Sequence, residues 1–172
     1  MNCPYIGCKD KKEKEKRMAS VEELMAQLEK APDEFAALIR GKSEALLSKR
    51  PDAKNWAPKE IICHMRDTDE LFMNRFQAIV AMDEPKLFPV EADRWAEERQ
   101  YLRNDIQEAL SAFRKRRADA LEFLRGLKPE QWERVGVHST RGRETLRNYV
   151  EFMAKHAPNH LDQLKRALAG QP

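Results

Sequence analysis

Apolar side chains recur at every third or fourth position through most of this chain, a period that belongs to helices with one buried face. Val21, Leu24, Met25 and Leu28 set such a face, and Phe35, Leu38, Ile39, Leu46 and Leu47 extend it beyond Pro32. Ile106, Leu110, Phe113, Leu121 and Leu124 set another, and Leu146, Tyr149, Val150, Met153, Leu161, Leu164 and Leu168 a third. Residue usage agrees: 20 Ala and 16 Leu stand against 15 Val, Ile and Thr together, and strands favour the second set. The expected class is all-α.

Local signals place the boundaries. Ser20 followed by Glu23 is a capping box opening a helical edge that breaks at Pro32 and ends near Arg50. Pro51 to Ala57 reads as a loop, and Pro58 suits the first turn of a helix running to about Met82. A connection with two prolines, Asp83 to Val90, leads to a short acidic helix near Glu91 to Arg99 and then to a long third helix that Gly126 stops. Pro129 to Trp132 makes one helical turn, Gly136 to Gly142 an irregular loop, and the last long helix follows. Three long helices and the N-terminal segment predict an up-and-down four-helix bundle forming a single domain over residues 18–170. Residues 1–17, ending in the charge run Lys9 to Arg17 with nothing to bury, are expected to be a disordered extension, a tag or a misassigned start ahead of Met18.

Several function classes are excluded at this level. A chain of 172 residues buries roughly two thirds of its unfolded surface and needs no disulfide staples. Cys3 and Cys8 lie in the extension and Cys63 in an apolar run, which fits a reducing, cytoplasmic compartment. No apolar stretch approaches the roughly 18 to 20 residues that span a bilayer, so no membrane partner is expected. The 32 basic and 29 acidic side chains nearly cancel, and the basic runs Arg114 to Arg117 and Arg141 to Arg147 lie among acidic residues without interleaved aromatics. No nucleic-acid partner is expected either.

The histidines carry the chemistry. His64 shares the face of Ile61, Thr68 and Leu71, while His156 and His160 fall within the stripe of Tyr149, Met153 and Leu164. Imidazoles four apart have Cβ atoms about 5–6 Å from each other and can reach one ion at roughly 2.1 Å, and a His on a facing helix completes a three-nitrogen site. A lone inward His is more often a neutral core residue, but three together are costly among leucines unless something takes their lone pairs. A zinc-protease reading fails because Ala157 stands where the general-base Glu would follow His156. Pro158 removes the N–H that would bond the Ala154 carbonyl and predicts a distortion between the two histidines. His138 reads as a structural or exposed loop residue, and Trp56, Trp95 and Trp132 as packing lids at the bundle ends.

These residues together resemble the DinB/YfiT-like family of metal-dependent helical-bundle proteins over nearly everything from Met18 to Gly170. The matching positions are Trp56, Glu60, His64, Asp67 and Asp69, then His138, Gly142 and Thr145, then His156, His160 and Gln163. The resemblance implies a four-helix bundle in which His64, His156 and His160 bind a divalent metal ion, zinc or nickel. It also implies a small-molecule substrate, with transfer of a low-molecular-weight thiol such as bacillithiol or a mycothiol-dependent isomerisation among the family's activities, and a homodimer as one assembly. The chain departs from the pattern at Ala57, where a capping Ser or Thr is usual, and at Ala157 and Pro158, where an Asp commonly follows the first His. The first change costs about 1 kcal/mol of capping; the second removes a carboxylate that would orient the ligands.

The expected function is a metal-dependent thiol transferase or hydrolase acting on a small electrophile, with open coordination positions and no protein nucleophile. Cys63, about 100° around the helix from His64, reads as a packed core thiol. Asp67 is open between general base and ligand-orienting roles. The alternative is a non-catalytic metal-binding or scaffold bundle, in which a thiol would leave the spectrum of the cobalt-substituted protein unchanged.

Overall fold

The computed structural model describes residues 19–172, so the expectations for residues 1–17 lie outside the described residues. The chain forms α1 (Val21–Ile39), α2 (Glu44–Leu47), α3 (Pro58–Ala81), β1 (Lys86–Leu87), α4 (Ala92–Glu98), a 3-10 turn (Tyr101–Arg103), α5 (Ile106–Arg125), α6 (Pro129–Trp132), β2 (Val135–His138), β3 (Gly142–Thr145) and α7 (Leu146–Leu168). The all-α four-helix bundle is the observed one, built from α1, α3, α5 and α7.

Its connectivity is less simple than alternation. Ile61, Ile62 and Met65 pack at the same end as Ile106, Leu110 and Phe113, whereas Phe72, Phe76 and Ile79 share the other end with Leu121 and Leu124, so α3 and α5 run parallel. Contacts from Ala19 to Arg147 and from Gln27 to Ala154 make α1 and α7 parallel too. Each of these pairs is antiparallel to the other: Asp33 meets Arg114 while Leu28 meets Arg117. The order around the bundle is α1, α5, α3, α7, and the crossover carrying β1, α4 and the 3-10 turn returns the chain to the end where α3 began.

Both internal prolines sit in continuous helices rather than breaking them. Pro32 deprives the Leu28 carbonyl of its helical donor, and Arg117 of α5 donates Nη1–H to it at 2.8 Å. Pro158 does the same to Ala154, whose carbonyl accepts from Gln27 Nε2 of α1 at 3.0 Å. Arg117 also forms a bidentate buried pair with Asp69, at 2.7 and 2.8 Å, which ties α3, α5 and α1 together.

The helix ends follow their local chemistry. Ser20 and Glu23 exchange the two bonds of the capping box at 3.1 and 2.8 Å. Ala57 offers no side-chain cap, but Glu60 accepts from its backbone N–H at 2.9 Å, and Arg50 pairs with the same carboxylate. The Arg114 to Arg117 run is consumed by carboxylates: Asp33, Asp119, Asp67 with Glu70, and Asp69 in turn.

A small three-stranded sheet, β1 parallel to β2 and β2 antiparallel to β3, occupies the stretch expected to be an irregular loop. Its alternation is too short to stand out in the sequence. Gly136 is required there by close approach, because a Cβ would lie 2.7 Å from Leu87 Cδ1 and 3.0 Å from Ile79 Cγ1. His138 accordingly closes β2 as a buried residue, not a loop residue. No helix among the described residues is long and apolar enough to cross a membrane.

Candidate metal centre

Antiparallel packing of α3 on α7 brings His64, near the start of α3, against His156 and His160 in the middle of α7. His156 Nε2 lies 3.3 Å from His64 Nε2 and 3.0 Å from His160 Nε2. The ring centroids are 4.3 to 5.2 Å apart, and one ligand atom from each residue falls within 4.8 Å of the others. The continuous helix through Pro158 makes this approach: His156 and His160 remain one turn apart on one face, with Gln27 closing the bond that the proline opens.

Burial holds the imidazoles neutral. It lowers His64 to about 3 and His156 to about 2, each pushed further by the neighbouring histidines, and it lowers His160 as well. Gln163 Oε1 accepts from His160 Nδ1 at 2.7 Å, an assignment that leaves the His160 Nε2 lone pair facing the cluster. Thr68 donates its hydroxyl to the His64 carbonyl at 2.6 Å and lies 3.3 Å from His64 Nε2.

The donor set fits a divalent cation. Tetrahedral coordination at nitrogen–metal distances of about 2.1 Å separates nitrogens by roughly 3.4 Å, near the 3.3 and 3.0 Å of the two pairs that share His156. Without a cation, the one proton that His156 Nε2 can carry would have to be shared between His64 and His160, whereas a cation takes all three lone pairs.

Aromatic rings wall the cluster. Trp56 lies 4.9 Å from the His64 ring and stacks on His160 at 6.4 Å, with its indole N–H donated to Asp93 at 2.9 Å. Phe72 and Phe152 border His156 at 6.2 and 6.3 Å. Trp56 is therefore a wall of the cluster rather than only a packing lid, while Trp132 is buried in the core at the opposite end. Phe72 and Phe152 carry no signal in the sequence; Thr68 stands out there only as a neighbour on the His64 face and Trp56 and Gln163 only through the family resemblance, although Gln163, three residues after His160, lies where helix geometry alone could flag it.

Asp67 points elsewhere. Its carboxylate accepts from Arg66 at 2.6 Å, Arg99 at 2.8 Å, Arg116 at 3.1 Å and the Tyr101 hydroxyl at 2.9 Å. Although burial opposes ionisation, these partners hold it at about 2. A carboxylate so engaged and so acidic is neither a general base nor a ligand-orienting group for the histidines. Cys63 is buried with Sγ 3.8 Å from the Tyr101 carbonyl, and burial pushes its thiol up to about 11. Ala157 packs in the core and supplies no carboxylate beside His156.

A family model described as the DinB superfamily matches residues 27–164. The uncharacterized protein YuaE of Bacillus subtilis (strain 168) is 25% identical over 139 residues, spanning 74% of this chain and 86% of that protein. YfiT from Bacillus subtilis, described as a probable metal-dependent hydrolase with an unusual four-helix bundle topology, superposes with a TM-score of 0.80 at 19% identity. That superposition covers 88% of this chain and 89% of YfiT, and it shows the shared fold.

Proposed function

Because the chain belongs to the DinB superfamily, we propose that it is a metal-dependent enzyme whose His64, His156 and His160 hold one divalent ion, zinc or nickel. The observation that carries this reading is the convergence of three neutral imidazoles with Nε2 atoms 3.0 and 3.3 Å apart. The description of YfiT as a probable metal-dependent hydrolase agrees with it.

The reaction we assign is transfer of a thiol, or of water, to a small electrophile. A divalent ion bound there supplies Lewis acidity, stabilising an anionic sulfur or oxygen nucleophile at neutral pH. The chain's own residues do the rest. Gln163 fixes the His160 ring and its tautomer through Nδ1–H. Trp56, Phe72 and Phe152 flank the histidines with apolar rings that lower the local dielectric, while Phe152, 44% exposed, leaves that side in contact with solvent. Neither Cys63 nor Asp67 reaches the reacting atoms, so the nucleophile comes from the substrates. We further read residues 18–170 as a single cytoplasmic domain.

The test is bound metal measured by mass spectrometry on untagged protein, comparing wild type with His64→Ala and His160→Ala. Near-stoichiometric metal lost in both variants is the expected result. Absence of metal from the wild type after reconstitution with zinc and with nickel would overturn the reading. A thiol that shifts the visible spectrum of the cobalt-substituted protein is the further expectation that separates an open site from a closed one.

A further inference from the structure

Beside the three histidines, a second cluster gathers donors that the protein uses only in part. Arg75 of α3 is buried, yet its one hydrogen bond runs from Nη2 to the Phe88 carbonyl at 2.5 Å, and it has no carboxylate partner among the described residues. Arg141, in the turn between β2 and β3, lies over the rings of Tyr149 and Phe152, its guanidinium carbon 5.2 and 4.8 Å from their centroids. The Arg75 guanidinium approaches the same Tyr149 ring at 6.0 Å. Tyr149 is 1% exposed, and its hydroxyl makes no well-formed hydrogen bond, with Arg141 the polar side chain that approaches it. His138 Nδ1 accepts from the Thr140 N–H at 3.3 Å and lies 3.0 Å from its hydroxyl, an assignment that puts the ring proton on Nε2.

A buried guanidinium such as Arg75 and a buried hydroxyl such as that of Tyr149 are costly unless paired, whereas Arg141 is solvent-exposed. Arg75 has no carboxylate partner among the described residues, and Arg141 has only a long ion pair. Glu144 Oε1 stands 3.7 Å from Arg141 Nε, beyond hydrogen-bond range, and its other oxygen accepts from Asn148 at 3.0 Å. Glu151 lies between Arg147 at 3.6 Å and Lys155 at 3.8 Å. An open cleft bounded by Arg141, Tyr149, Phe152 and Lys155, with Glu144, Asn148 and Glu151 on its rim, reaches the Arg141 and Tyr149 side of the cluster.

We propose that Arg75, Arg141, His138 and the Tyr149 hydroxyl form a subsite for the carboxylate of an elongated small-molecule substrate. A carboxylate suits it better than a phosphate: the donors are planar guanidiniums and single side-chain groups, no backbone N–H cradle is involved, and the repulsion from Glu144 and Glu151 on the rim is smaller for a monoanion than for a dianion. Phe152 connects the subsite to the histidines, touching Arg141 on one side and the His156 ring at 6.3 Å on the other. Tyr149 and His156 are seven residues apart on α7, which is about 10 Å along the axis on the same face. The substrate therefore carries its carboxylate roughly 10 Å from the group that reacts at the histidines. In placing the reacting group there, the inference rests on the three-histidine reading; the carboxylate subsite itself does not.

The test is calorimetric titration of full-length protein with octanoate and with octanol, before and after metal loading. Octanoate is expected to bind at least about tenfold more tightly than octanol. Arg141→Gln and Tyr149→Phe should each remove most of that difference; Tyr149→Phe, which keeps the ring and gives up only the hydroxyl and its contact with Arg141, keeps the metal content of the wild type. Equal binding of octanoate and octanol by the wild type, a preference that survives both variants, or tighter binding of inorganic phosphate at this site overturns the proposal. A protein that prefers octanoate but takes up no metal keeps the subsite and loses the histidine reading. One that takes up metal without the preference does the reverse.

Discussion

Gln27 of α1 donates its side-chain amide to the carbonyl of Ala154 in α7 at 3.0 Å, the carbonyl that Pro158 leaves without its helical donor. The turn bearing His156 and His160 is thus held straight by a residue from another helix. Arg117 does the same for Leu28, opposite Pro32.

Gln27→Leu is expected to lower stability by about 1–2 kcal/mol, because the Ala154 carbonyl loses its partner. In a Pro158→Ala background the restored backbone N–H takes the carbonyl, so the same substitution should cost less than half as much. Urea denaturation of the four proteins in this cycle measures the coupling; equal cost in both backgrounds would refute the role given to Gln27.

Arg117 serves two acceptors at once, the Asp69 carboxylate and the Leu28 carbonyl. Arg117→Met should therefore destabilise by about 3–5 kcal/mol, the range for stranding a buried charge. Burial raises the Asp69 carboxyl even beside Arg117, so Asp69→Asn added to Arg117→Met should recover part of the loss. A double variant no more stable than Arg117→Met alone would contradict this.

Gln163→Ala leaves three ligand nitrogens in place but frees the His160 ring. On the proposed metal site, stoichiometry at saturating ion should be unchanged while affinity falls about 10- to 100-fold. Competition against a chromophoric chelator reads the difference; an unchanged affinity would remove Gln163 from the site.

Asp67 titrates at about 2 in the folded protein against an ordinary 3.8. A depressed carboxylate contributes stability above the unfolded value and loses it as pH falls through the folded one, so its share, about 2 kcal/mol, should disappear between pH 4 and pH 2. Asp67→Asn should lower stability at pH 7 and flatten that part of the acid limb, while leaving metal content at the wild-type level. Thermal melts across this window provide the check.

Much of this was legible in the sequence because long amphipathic helices announce themselves. The bounds of α3, α5 and α7 follow from Pro58, Gly126 and the three-to-four spacing of Leu146 to Leu168, and His64, His156 and His160 fall inward on the same count. What spacing could not show depends on which helix faces which. Pro32 looks like a break until Arg117 arrives from eighty-five positions away, and Trp56 looks like an end cap until α7 places His160 beneath it. The parallel pairing of α3 and α5 and the sheet from Lys86 to Thr145 are likewise set by the crossover, whose two-residue strand is too short to carry a period.

The parallel course of α1 and α7 also governs how the domain answers force. Its first helix begins at one end of the bundle and its last finishes at the other, about 28 Å apart over the 19 residues of α1. Pulling on the start of α1 and the end of α7 would load the seam between these helices in shear, along its whole length, rather than peel it open turn by turn. The Gln27–Ala154 bond crosses that seam, so a tether joining the ends would strain the histidine-bearing turn before it reached the core beneath.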